Sequence, residues 1–302
     1  MVDRAQSESP EADPLDTIQA VTPTLCQLLG LDVPALCAVH PLARVLTAAH
    51  ANLGGARVER CLVFAPDAIG NQLQAGYADL FREIASLAPV TVPMRSVFPP
   101  KTPVCFASMF TGASPADHGI RHYEQPVLRC DTLFDALVRA GRRVAIVAVT
   151  DSSIDRIFRG RDVDYYSETY DPDVTARAVA LIEADRHEFI LAYHQEYDDL
   201  LHETTPFSDS AILAFRHHVA AFRELVDAAN THWLRHDRVI VFAPDHGAHL
   251  DPETMTGTHG DDIAQDMELR HFYRFGANGH TAGNHPDASG GARTTDQAGG
   301  QA

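Results

Sequence analysis

Four short stretches of the chain are apolar at every position: Cys61–Ala65, Val144–Val149, Phe189–Tyr193 and Val239–Ala243. A strand with one wet face alternates apolar and polar residues. An unbroken apolar run rich in β-branched residues predicts a strand covered on both faces, as in a parallel sheet. Between these runs the period changes. Ile212, Phe215, Val219, Phe222, Val226, Ala229 and Trp233 recur at steps of three and four, which predicts one long helix laid on the sheet by a single stripe, with Ser208 or Asp209 as its cap. His217 and His218 fall off that stripe and are expected to be solvated. Shorter helices are predicted over Asp131–Ala140, stopped by Gly141, and over Asp173–Arg186. Two more, around Thr24–Leu29 and Pro41–Asn52, precede the first strand and would cover a sheet edge or form a lid. Strands alternating with helices predict an α/β fold with a doubly covered, mostly parallel sheet.

Composition narrows the partners. The chain has 302 residues, a formal net charge of −17 and a single lysine, Lys101. Such an acidic surface repels phosphate backbones and anionic lipid, which argues against a nucleic acid polymer or a membrane as partner. The polar start offers no apolar leader, and no later run approaches the roughly 18 apolar residues of a membrane span, so a cytoplasmic protein is expected. Five scattered cysteines (Cys26, Cys37, Cys61, Cys105, Cys130) with no C-x-x-C pair are expected to be free, buried thiols. Residues 1–15 are rich in Ser, Glu, Pro and Asp, residues 277–302 contain hardly a large apolar side chain, and both are expected to be disordered. That leaves a helical N-terminal extension over 16–57 and a core over 58–276.

The first and fourth strands end alike, in Val63-Phe64-Ala65-Pro66-Asp67 and Val241-Phe242-Ala243-Pro244-Asp245. In open parallel sheets ligands bind at the carboxyl ends of strands. The third strand runs out through His194 into Asp198-Asp199-Leu200-Leu201-His202, where an Asp and a His four apart share a helical face. Asp199 is the weaker candidate because only Asp198 keeps that spacing. His246 follows Asp245, and His259 lies in Gly257-Thr258-His259-Gly260. Three carboxylates and three imidazoles therefore converge on one rim. Carboxylates about 5 Å apart repel by roughly 3 kcal/mol per pair at an effective dielectric of 20. Two divalent cations would offset this and leave a small positive charge for an anionic substrate. The segment Pro99–Gly112 supplies candidate nucleophiles in Thr102, Cys105 and Ser108.

That segment resembles the alkaline phosphatase superfamily, in particular its type I phosphodiesterase/nucleotide pyrophosphatase branch. The likeness rests on Lys101-Thr102, Thr111-Gly112 and His118-Gly119-Ile120, and on the order Asp, Thr, Asp-x-x-x-His, Asp-His, His across Arg60 to Phe275. The resemblance implies an alkaline-phosphatase-like three-layer sandwich with a mostly parallel central sheet and helices on both faces. It implies a two-metal phosphohydrolase acting on a small-molecule phosphate ester through a covalent phosphothreonine. Thr102 would be the nucleophile and would share one ion with Asp67, Asp245 and His246. Asp198, His202 and His259 would hold the other. Zinc is the first expectation for both ions, with manganese or iron also suited to such donors.

Several features depart from the family pattern or compete with it. Tyr123 stands where nucleotide pyrophosphatases place an asparagine that binds a phosphate oxygen, so it is the candidate substrate-binding residue. His259 follows His246 by 13 positions, where larger members insert a cap domain. Cys105 lacks the Cys-x-Pro-x-Arg setting of a sulfatase nucleophile and is read as a packing residue. Ser108 reads as a helix-interior residue and Asp117-His118-Gly119 as a structural turn. His249 and Asp261 read as loop residues, while His194 and Glu196 could support the ligands. The helix Thr22–Gly30 is similar to one that sulfatase relatives carry near their other terminus. Rival functions are a phosphomonoesterase or a phosphonate hydrolase on the same core, or a metal-stabilised binding protein without turnover.

Overall fold

The structure, a computed structural model, describes residues 15–279. The main sheet contains β1 (Asp16–Thr17), β2 (Arg60–Pro66), β3 (Val90–Arg95), β4 (Val144–Val149), β5 (Asp164–Glu168), β6 (Phe189–His194) and β7 (Arg238–Phe242). A small hairpin, β8 (His249–Leu250) and β9 (Gly257–Thr258), follows, and β10 (Glu268–Gly276) returns to the main sheet. The spatial order is β1-β3-β10-β7-β2-β6-β4-β5. Within it β10 runs antiparallel to both its neighbours, and the other pairings are parallel.

The strand parity explains the continuous apolar runs. Successive side chains point to opposite faces, and here both faces are covered. Cys61, Val63 and Ala65 of β2 join one core cluster, whereas Leu62 and Phe64 join the other. The first cluster packs under α1 (Val21–Leu29), α2 (Ala43–Leu53), α4 (Thr102–Thr111), α6 (Leu133–Arg139) and α7 (Ser153–Ile157). The second packs under α3 (Ala78–Leu87), α8 (Asp171–Ala184), α9 (Glu196–Glu203) and α10 (Asp209–His232). The remaining short helices are α5 (Pro115–His118) and α11 (Ala264–Met267). The result is the expected three-layer α/β sandwich with a mostly parallel sheet.

The four continuous runs become β2, β4, β6 and β7, all central. The strands that the apolar pattern does not reveal are the half-covered ones. β3 alternates in burial and carries Pro93, β5 is an edge strand with exposed residues, and β10 includes Arg270 and Arg274. Asp16–Thr17 pair with β3, so the segment before residue 58 contributes a short strand besides its two helices, and that strand lies at the sheet's edge. The expected disorder of 1–15 and 277–302 falls largely outside the described residues. Of the rest, Asn278 N–H donates to Asp237. No helix among the described residues is long and apolar enough to cross a membrane.

Candidate active site

The two matching strand ends lie side by side. β2 pairs with β7 in parallel, with Phe64 opposite Phe242, and the Ala243 N–H donates to the Phe64 carbonyl. Asp67 and Asp245, each three residues past those phenylalanines, therefore emerge together at the carboxyl edge. Each carboxylate is pinned by one oxygen. Asp67 Oδ2 accepts from Tyr193 OH at 2.5 Å, and Asp245 Oδ1 accepts from the N–H groups of Ala68 and His246. The other oxygens, Asp67 Oδ1 and Asp245 Oδ2, are buried without a partner and stand 3.3 Å from His246 Nε2. Ala68 has a φ of 62°, a left-handed conformation that alanine seldom adopts and that lies at this strand end.

The second group forms beside the first. α9 begins where β6 ends and carries Asp198 and His202 on one face, with His259 arriving from the loop after β9. His202 Nε2 lies 3.5 Å and His259 Nε2 3.4 Å from Asp198 Oδ1, which is also buried and unpartnered. Asp199 takes another course: its Oδ2 accepts from Tyr170 OH and Gln195. The rings of His246 and His259 stack with centroids 4.0 Å apart, joining the two groups. Thr102 opens α4, nearly buried, with Oγ1 3.4 Å from His246 Nε2.

The hydrogen bonds behind the rings fix which nitrogen faces the site. His246 Nδ1 faces the Gly247 carbonyl at 3.0 Å, His202 Nδ1 the Gly257 carbonyl at 2.9 Å, and His259 Nδ1 the Pro100 carbonyl at 2.7 Å. A carbonyl only accepts, so each Nδ1 carries the hydrogen and each neutral ring turns an Nε2 lone pair inward. His202 and His259 oppose those nitrogens at 3.1 Å, an arrangement that calls for a proton or a cation between them. Six donor atoms, three of them orphaned carboxylate oxygens, thus form two sets, Asp67/Asp245/His246 and Asp198/His202/His259. Backbone carbonyls behind ligating imidazoles are the usual support of a metal centre, so these residues could hold divalent ions.

The electrostatics also call for positive charge. Burial, then Asp245 and Asp198, raises Asp67 above the ordinary carboxylate range, and burial is the main cause that pushes Asp245 up to about 7. Burial opposes ionisation of Asp198 as well, but in the absence of ions the imidazolium form of His259, which Asp198 in turn favours, outweighs it, with His202 adding to the effect, and Asp198 is brought down to about 2. Burial, then His259, keeps His246 neutral, far below its usual value.

A third group, Asp171, His194 and His218, looks similar by residue type and differs in its hydrogen bonds. His218 was expected to be solvated, but it is fully buried, because Ala211, Ala214, Ala221 and Leu225 extend the apolar stripe of α10 on its side. Its Nε2 accepts the Tyr197 N–H, so its Nδ1 donates to His194 Nδ1 at 3.2 Å. Thr175 Oγ1 donates to the Asp171 carbonyl and so accepts from His194 Nε2. Asp171 itself accepts the Gln195 and Glu196 N–H groups at the start of α9. Every ring nitrogen there has a partner, so this cluster braces α8, α9 and α10 rather than offering lone pairs to an ion.

Other candidates resolve plainly. Ser108 is interior to α4 and bonds His118 at 2.8 Å, tying α5 to it. Cys105 is buried, 3.1 Å from Ser96 Oγ, and all five cysteines are free, with Cys37 and Cys130 only partly buried. His217 is exposed and paired with Glu196. Tyr123 lies at the exposed rim of the cavity that contains Asp67, Thr102 and Asp198.

Two supporting residues escaped the sequence reading. Tyr193 orients Asp67. Asp266, fully buried, accepts from the N–H groups of Gly260 and Asp261 and contacts His249 Nδ1 at 2.7 Å, while its carbonyl accepts the Gly247 N–H. It therefore fixes both loops that deliver His246 and His259. Asp266→Ala, which strands the Gly260 and Asp261 N–H groups but keeps the carbonyl that binds Gly247, is expected to cost about 3 kcal/mol, lowering the melting temperature by about 6 °C; a shift under 2 °C in a thermal melt would contradict this.

The mostly parallel three-layer sandwich with paired Asp/His groups at its carboxyl edge coincides with a family match that puts the protein in the alkaline phosphatase superfamily. The model of the type I phosphodiesterase/nucleotide pyrophosphatase family matches residues 62–296, and the chain belongs to that family. Among solved structures it is similar to human ectonucleotide pyrophosphatase/phosphodiesterase 5, at 16% identity over 65% of this chain and 59% of that one, with a TM-score of 0.51. The murine counterpart gives 16%, 65%, 59% and 0.50. BT1596, a 2-O GAG sulfatase, gives 14% identity over 73% of this chain and 64% of its own, with a TM-score of 0.52. The chain thus matches less than two thirds of each of these proteins, and at such identities the likeness establishes the fold. No curated protein sequence matches the chain.

Proposed function

We propose that this protein is a phosphoester hydrolase that uses two divalent cations and Thr102 as nucleophile on a small-molecule ester, with residues 58–276 as its catalytic core. The observation that carries this reading is the set of three inward Nε2 lone pairs and three orphaned, buried carboxylate oxygens beside one threonine hydroxyl. Asp67, Asp245, His246 and Thr102 would hold one ion and Asp198, His202 and His259 the other. Zinc fits these donors best, with manganese or iron as alternatives.

The chemistry two such ions supply is Lewis acidity, which lowers the pKa of the threonine hydroxyl and neutralises phosphoryl charge. The protein contributes position and field. Thr102 occupies the first turn of α4, where the positive end of the helix dipole favours an ionised alcohol and an anionic ester. Lys101, the preceding residue, directs Nζ to the His259 carbonyl and so adds a positive charge next to the nucleophile. Oγ1 forms its bond to phosphorus as the bond from phosphorus to the alcohol oxygen breaks, and the alcohol leaves with a proton delivered through water. A water molecule then cleaves the phosphothreonine, restores the hydroxyl and releases phosphate, or a monoester when the substrate is a diester.

The test is elemental analysis beside turnover of p-nitrophenyl phosphate and bis-p-nitrophenyl phosphate. About two ions per chain and turnover of at least one ester are expected, and the ratio of the two rates separates a monoesterase from a diesterase. A protein that binds no divalent ion and cleaves neither ester would overturn the proposal.

A further inference from the structure

The cavity that holds Asp67, Thr102 and Asp198 continues away from them along Tyr123, Gln125, Thr150, Asp151, Ser152, Ser153, Gln195 and Asp199. Its charge is one-sided, because its charged groups are carboxylates and several of its neutral donors are turned into the protein. Gln195 Nε2 donates to Asp199 Oδ2 at 3.1 Å, an assignment forced by the carboxylate, which can only accept. Gln195 keeps its carbonyl oxygen as an acceptor and its second N–H as a neutral donor. Thr150 Oγ1 donates to the Glu168 carbonyl, Tyr193 OH to Asp67, and Gln125 Nε2 to Ser153 Oγ. No lysine, arginine or histidine lines this wall. Its carboxylates are Asp151, at the solvent edge and paired with Arg156, and Asp199, further in and held by Tyr170 OH. Asp151 has a φ of 65°, and strained backbone of this kind gathers at ligand sites.

Size points the same way. The cavity measures about 180 Å³, below the roughly 300–1,000 Å³ of pockets that enclose drug-sized ligands. Stacking on an aromatic face contributes substantially to holding a nucleobase. The aromatic members here are Tyr123, at the exposed rim, and Tyr193, buried and turned to Asp67.

We propose that this cavity selects phosphate esters of small alcohols bearing hydrogen-bond donors, an ammonium group or adjacent hydroxyls, over nucleotides, with Asp199 as the specificity-determining residue. The proposal rests on the hydrolase reading above and deepens it. Asp199, next in sequence to Asp198, receives the donors, while Gln195 and Gln125 add neutral acceptors. A second phosphate or a carboxylate on the alcohol would meet an anionic wall without a counter-charge.

The experiment compares kcat/KM of the metal-loaded protein for phosphoethanolamine, glycerol 3-phosphate and AMP, each as the monoester and as its p-nitrophenyl diester, with p-nitrophenyl phosphate as reference. At least one of the two small esters is expected to exceed AMP about tenfold. An advantage confined to phosphoethanolamine identifies the ammonium as the recognised donor, and one confined to the glycerol ester identifies the hydroxyls. In Asp199→Asn the ratio of the preferred ester to p-nitrophenyl phosphate should fall about tenfold. Gln125→Lys, which brings a donor to the wall while leaving Asp199 in place, should lower the same ratio. If p-nitrophenyl phosphate turns over but AMP equals or exceeds both small esters, or if both variants keep the parent ratio, this proposal is wrong and the hydrolase reading stands. If no ester turns over, both fall.

Discussion

Replacing Thr102 by alanine is expected to lower turnover of phosphate esters by about four orders of magnitude or more while about two ions remain bound per chain. Thr102 Oγ1 is one donor among seven candidates, and the three imidazoles and three carboxylates keep their own supports, Tyr193 OH for Asp67 and backbone carbonyls for the rings. Removing the hydroxyl thus takes away the atom that attacks phosphorus and leaves the rest of the site in place. Besides the hydroxyl, alanine loses only the buried γ-methyl, a packing loss that leaves the ligands in place. Thr102→Ser, which keeps an alcohol at the same position, should retain measurable activity. Mass spectrometry of the rapidly quenched wild-type protein should show phosphate on Thr102. Full activity in Thr102→Ala would move the nucleophile elsewhere. Loss of activity together with loss of the ions would mean that the hydroxyl acts only as a ligand.

The parts of the fold legible in the sequence were those in which one physical demand dominated. β2, β4, β6 and β7 are covered on both faces, so every position is apolar and the run stands out. β3, β5 and β10 answer to two demands at once, core on one side and solvent or an edge on the other. Pro93 and Arg270 are compatible with strands only in that setting. The six donor positions could be picked out because chemistry that gathers like charges leaves a pattern, an aspartate after each of two matching strand ends and an Asp-x-x-x-His on a helix. His218 lies off the stripe of large residues, but the alanines at 211, 214 and 221 bury a second column beside it. Asp266 and Tyr193 carry no local signal at all. Tyr193 acts on Asp67, far away in sequence, which only the assembled sheet brings to it. Asp266 holds the nearby Gly260 and Asp261 N–H groups and, through its main-chain carbonyl, Gly247, by a turn that leaves no periodic pattern.

Chelation should destabilise the protein, and the effect should grow with pH. Without ions, Asp245 is pushed up to about 7 and Asp67 is raised as well, chiefly by burial. Between about pH 4 and pH 7 the unfolded chain releases protons from these carboxylates while the folded chain retains them. The stability that these two carboxylates contribute must then fall as pH rises through that window. The buried histidines His194, His218 and His271 act in the opposite sense. Burial holds their pKa values low, so the folded protein gains stability as pH rises from those low values up to the unfolded value near 6.5, and no further above it. Those residues lie outside the proposed metal set and behave alike with and without ions, so the difference between loaded and chelated protein isolates the site. Ions at a thousandfold excess over Kd stabilise by about 4 kcal/mol each, and protons compete with them for the same donors. The melting temperature of loaded protein should therefore exceed that of chelated protein by on the order of 15 °C at pH 8, and the gap should shrink to a few degrees at pH 5. A gap of the same size at both pH values would show that the ions bind where no carboxylate titrates, away from Asp67 and Asp245.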